Sequence, residues 1–85
     1  MKHVTYKTSG TCSQQIDIDL DDENIIQNVS FLGGCNGNLQ GISLLVKGQK
    51  AESVIERLEG IRCGMKPTSC PDQLTHALRQ ALTND

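Results

Sequence analysis

The sequence predicts an α+β domain: a three-stranded antiparallel meander followed by three helices packed on one of its faces. Three observations point to it. Apolar residues between His3 and Leu32 recur with the alternation of half-buried strands. From Leu39 onward they recur at the spacing of amphipathic helices. The run Gly33-Gly34-Cys35-Asn36-Gly37-Asn38 separates the two regimes and suits neither.

The elements follow in order. His3 to Thr8 alternates, with Val4 and Tyr6 on one side, and Thr8-Ser9-Gly10 reads as a turn. Gln14 to Leu20 alternates cleanly, Ile16, Ile18 and Leu20 facing one way and Asp17 and Asp19 the other. Asp21-Asp22-Glu23-Asn24 is a polar turn, and Ile25 to Leu32 is a third strand with Ile25, Val29 and Phe31 on one face. With Leu20 opposite Ile25, Ile16 would meet Val29, Ile18 would meet Gln27, and Cys12 would lie opposite Gly33, near Cys35.

After the glycine-rich break, Leu39, Ile42, Leu45 and Val46 mark a first helix that Gly48 stops. Ala51, Val54, Ile55 and Leu58 mark a second, stopped by Gly60. Ile61 to Pro67 is a connector carrying Cys63. Ser69-Cys70-Pro71-Asp72 then opens a third helix: Ser69 can cap, proline suits the first turn, and Asp72 complements the dipole. Its apolar stripe is Leu74, Ala77, Leu78, Ala81 and Leu82.

A chain of 85 residues makes one domain, 1–85, with a small core. The core is poor in aromatics, with no Trp, one Phe and one Tyr, so a staple is expected among the four cysteines. Met1 to Thr8 carries no apolar signal-peptide core, and no apolar run is long enough to span a membrane. The expectation is a cytoplasmic protein without membrane contact, whose thiols stay reduced, which favours metal or redox chemistry over structural disulfides. The net charge is −2. Basic residues between Lys47 and Lys66 alternate with Glu52, Glu56 and Glu59, a solvated face with neither the single-sign patch nor the aromatics of a nucleic-acid surface.

Cys35 precedes the first predicted helix and Cys70 opens the third. A helix N-terminus stabilises thiolate, the form that binds metal or attacks an electrophile. Cys63, seven positions before Cys70 on a Gly- and Pro-containing connector, could fold back as a fourth ligand. Gly33, Gly34, Gly37 and Gly64 flank these cysteines and would let backbone approach an ion, or would serve tight turns alone. The spacing C-x22-C-x27-C-x6-C lacks the paired C-x2-C knuckles of zinc ribbons. The first expectation is one metal held by Cys12, Cys35, Cys63 and Cys70, with Ser69 and Asp72 as supporting residues. Dithiol redox chemistry and unrelated buried cysteines remain as alternatives.

The run Thr68-Ser69-Cys70-Pro71-Asp72 is identified as the motif that names the TSCPD domain, and the glycine-rich break and Cys63-Gly64 fit the same family. That family resembles a C-terminal segment of adenosylcobalamin-dependent ribonucleotide reductases. The four cysteines lead to the expectation of a zinc-binding accessory module, and the resemblance implies its protein partner, ribonucleotide reductase, with a link to deoxyribonucleotide synthesis. It does not imply a reductase by itself, because the catalytic barrel is absent. The element order is also similar to that of iron–sulfur cluster assembly scaffolds of the IscU/NifU type. Cys35 and Cys70 would stand at the second and third scaffold cysteines and Cys12 near the first, which implies an iron–sulfur cluster or thiol carrier as the alternative. Ser69 stands where those scaffolds carry a histidine, and Cys63 has no counterpart; an all-cysteine site suits closed, structural zinc.

His76 falls off the apolar stripe, almost two helical turns past Cys70, and is expected on the surface as a non-ligand. His3 is expected to face solvent, and the acidic run from Asp17 to Glu23 has no EF-hand pattern.

Overall fold

The computed structural model describes residues 2–8, 13–33, 36–62, 64–65 and 67–83. The elements are β1 (Lys2–Lys7), β2 (Ser13–Leu20), β3 (Ile26–Gly33), α1 (Asn36–Val46), α2 (Ala51–Leu58) and α3 (Cys70–Thr83). The strands form one antiparallel sheet in the order β1-β2-β3, so the α+β meander read from the alternation is the fold.

The alternation of β2 sets the core. Ile16, Ile18 and Leu20 are at most 1% exposed, and they pack against α3, whose Leu74, Ala77, Leu78 and Ala81 are fully buried. Burying such a side chain stabilises the fold by about 1.5–3 kcal/mol before the entropy of ordering it is subtracted. Val4, Tyr6 and Phe31 fill the margin, and Val54 and Ile55 of α2 close the layer. The other face of the sheet is polar. There His3 lies opposite Asp19 and Thr5 opposite Asp17.

Three expectations about local register and helix bounds are corrected. Leu20 pairs with Ile26, Ile18 with Val29 and Ile16 with Phe31, where one-for-one pairing from Leu20 and Ile25 would have joined Ile18 to Gln27. The turn is the reason. The Asp21 carboxylate accepts from the amides of Glu23 and Ile25, each at 2.9 Å, and Asn24 takes a left-handed φ of 63°. Ile25 stays in the hairpin, its carbonyl accepting the Asp21 amide at 3.1 Å, and also bridges to Lys50, while an irregularity between Asp19 and Leu20 shifts the ladder further. The inward stripe of β3 is therefore Ile26 and Val29, both buried, with Phe31 partly buried beside them. Secondly, α1 begins at Asn36, so Gly37 and Asn38 belong to its first turn instead of to the break. Thirdly, Leu45 is 77% exposed, because Leu39, Ile42 and Val46 already define the face that α1 turns inward.

The helices run lengthwise over the sheet. α1 leaves the Gly33 end of β3 and finishes near its start, where the Gly48 amide donates to the Ile26 carbonyl at 2.8 Å. α2 begins beside the same turn, with the Ala51 amide on the Asn24 carbonyl at 2.9 Å, and runs back. α3 returns in turn, its Ala81 carbonyl accepting from Lys2 Nζ at 3.2 Å. The N-termini of α1 and α3 thus lie toward the end of the sheet that carries the Ser13–Gly33 pair. No helix among the described residues is long and apolar enough to cross a membrane.

Candidate functional site

The chain opens α3 with a polar knot. Ser69 caps the helix: its Oγ accepts the Asp72 amide at 3.2 Å and donates to the Ile61 carbonyl at 2.6 Å. Asp72, 6% exposed, turns its carboxylate away from solvent. Oδ1 accepts the Gly60 amide at 2.7 Å, and Oδ2 accepts the Thr68 hydroxyl. Gln73 Nε2 donates to Thr68 Oγ1 at 3.0 Å, and Thr75 Oγ1 donates to the Asp72 carbonyl at 2.6 Å. Among the described residues every buried side-chain nitrogen and oxygen has a partner. The knot binds the start of α3 to the end of α2, where Gly60 makes the turn with a φ of 89° that L residues resist.

Charge is balanced within this knot. Burial pushes the Asp72 carboxyl up, but the Thr68 hydroxyl, the Gly60 amide and nearby His76 together outweigh it and hold Asp72 below the usual carboxylate range. His76 Nε2 lies 3.3 Å from Asp72 Oδ2 with its side chain 47% exposed, so it is a surface residue with a partner. One turn along, Arg79 grips Glu59 with two hydrogen bonds of 2.5 and 2.9 Å and lowers its carboxyl. The result is a fixed helix start at which Cys70 is half-buried, at the positive end of the α3 dipole.

The family model of the TSCPD domain matches residues 2–82. The chain belongs to the TSCPD domain family. No curated protein and no solved structure matches it. The likeness to IscU/NifU scaffolds is not shown by these comparisons.

Four of the five residues that name the TSCPD domain make this joint: Thr68, Ser69 and Asp72 are buried and hydrogen-bonded, and Pro71 occupies the first turn of α3. Cys70, the fifth, is half-buried as the first residue of α3. Of the remaining expected ligands, Cys12, Cys35 and Cys63 lie outside the described residues, as does Gly34. Among the described residues no group of three His, Cys, Asp or Glu could hold a metal ion. Gly33 and Gly64 have left-handed φ values of 79° and 58°, so both meet a backbone requirement. Gly37 sits in α1 with open space where a Cβ would be, and no close approach requires it.

Sequence reasoning missed Thr68, Gln73 and Thr75 as buried polar partners. A signal was present for one of them. Thr75 stands three residues before Leu78 and seven before Leu82, on the helical stripe itself. The amide of Gly60 could not be foreseen as the partner of Asp72, because that contact joins two elements.

Proposed function

We propose that this TSCPD domain is a small metal-binding module in which Cys12, Cys35, Cys63 and Cys70 hold one Zn²⁺, and that it acts as an accessory protein docking on a partner. One observation supports the reading above the others. The residues flanking two of the cysteines, Ser13 after Cys12 and Asn36 after Cys35, belong to the same end of the fold at which Cys70 opens α3. Four thiolates suit a tetrahedral zinc, which would tie that end together and add directly to folding free energy. The rigid knot under Cys70 supplies the fixed geometry that such a ligand needs. The partner that the family resemblance suggests is ribonucleotide reductase.

Metal analysis of protein purified anaerobically tests this directly. Colourless protein with stoichiometric zinc is expected, and chelation or Cys35→Ser should lower the melting temperature by more than about 10 °C, the scale of a few kcal/mol in a domain of this size. Equal melting with and without chelator would overturn structural zinc. A brown protein with a visible absorbance band would replace it with a cluster carrier. For the partner, co-elution with a cognate reductase and its turnover are the measurements, with Cys70→Ser separating docking from thiol exchange.

A further inference from the structure

α2 divides its charges between two sides. Glu52, Glu56 and Glu59 border the groove toward α3, together with Arg79. On the other side, α1 and α2 leave an open groove of about 300 Å³. Its floor is apolar: Val46 and Val54 are 6% and 4% exposed and belong to the core. Leu45 and Leu58 form its walls, and Gln49 and Ser53 offer an amide and a hydroxyl.

Two features set this groove apart from ordinary surface. Leu45 is 77% exposed and Leu44, next to it, 68%, so the last turn of α1 presents consecutive leucines to water. Contiguous exposed apolar surface of this kind marks an interaction site more often than isolated leucines do. The one charged side chain among its described lining residues is a cation, Arg57, and it has no ion-pair partner among the described residues. Exposed Lys47 and Lys50 stand next in sequence to Val46 and Gln49 of the lining. The cation at the groove stands against a net charge of −2 for the chain as a whole.

We infer that the α1–α2 groove docks an apolar segment of a partner protein flanked by acidic residues. The segment's apolar side chains cover Leu45, Val54 and Leu58, and its carboxylates meet Arg57 and Lys50. This is helix-in-groove recognition, with apolar contacts supplying affinity and charge setting partner choice and orientation. The inference rests on the docking half of the proposed function and is independent of the metal.

The test uses the full chain, ¹⁵N-labelled, and two amphipathic peptides that share leucines at helical spacing but carry either Asp/Glu or Lys on the flanks. The acidic peptide should bind at least about tenfold more tightly than the basic one, and added salt should weaken it. Arg57→Glu should reverse that order while keeping the wild-type melting temperature. Amide shifts should concentrate at Leu45, Gln49, Ser53 and Arg57. Equal affinity for both peptides, no binding at millimolar peptide, or shifts confined to the α2–α3 side would overturn the inference. So would a wild-type dimer in sedimentation that Leu45→Glu dissolves, which would give the groove to a second copy of the chain. Metal content measured on the same samples separates the two readings: protein without zinc that still prefers the acidic peptide upholds the groove and removes the metal site.

Discussion

Asp72 shows how much one side chain can hold. Its carboxylate accepts from Gly60 on one element and Thr68 before another, at a position almost closed to water. Asp72→Ala would leave the part-buried Gly60 amide and the buried Thr68 hydroxyl without their acceptor, so the expected loss is about 1–3 kcal/mol. His76→Ala removes only a half-exposed partner and should cost less than about 1 kcal/mol. Thermal or urea unfolding of the two variants decides between this ordering and a merely surface role for Asp72. A pH dependence follows from the same geometry. The folded carboxyl is held below its unfolded value, so its stabilisation is present above the usual carboxylate range and is lost as the pH falls through the lower folded value. Unfolding curves measured across acidic pH should show this slope in wild type and a reduced slope in Asp72→Asn.

At the scale of the element, the polar face of the sheet carries a second titration of opposite sign. His3 Nδ1 lies 2.6 Å from Asp19 Oδ1, and that hydrogen bond, with the charges of Asp19 and Asp17, outweighs desolvation and raises the histidine above its usual value. A raised histidine stabilises the fold fully below the usual histidine range and loses that contribution as the pH rises through the folded value. An NMR titration should find His3 raised in wild type and close to ordinary in Asp19→Asn. The helices allow a sharper comparison. Leu78 is fully buried in α3, whereas Leu45 of α1 lies mostly in water. Leu78→Ala should cost about 2–5 kcal/mol, and Leu45→Ser should stay within about 0.5 kcal/mol, as read by chemical denaturation. Comparable losses would contradict the packing described for α1.

For the whole molecule, the arrangement separates jobs by place. The sheet and α3 supply most of the core, completed by Val46 of α1 and by Ala51, Val54 and Ile55 of α2. The knot at Thr68, Ser69 and Asp72 fixes the end at which Cys70 lies. The α1–α2 groove leaves apolar surface and the Arg57 guanidinium toward solvent. A small aromatic-poor core makes such a chain dependent on each local device, which is why loss of a bound metal should be visible in global unfolding. Because the proposed groove partner and the proposed metal would engage different residues, Arg57→Glu and Cys35→Ser should act independently: peptide preference changes in the first and melting temperature in the second, with additive effects in the double variant.

The sequence by itself determined the element order and nearly all of the inward faces. Alternation at Ile16, Ile18 and Leu20 and the stripe from Leu74 to Ala81 admit one amphipathic reading each, because a side chain's direction along a strand or helix is local geometry. It also determined the cap at Ser69, a feature closed within one turn. What only the tertiary structure decided lies between elements. The Asp21 turn and an irregularity after Asp19 changed the hairpin register, α1 turned Leu45 outward, and Asp72 found the Gly60 amide across a connector. Each of these depends on where a distant backbone group comes to rest, and sequence periodicity carries no information about that position.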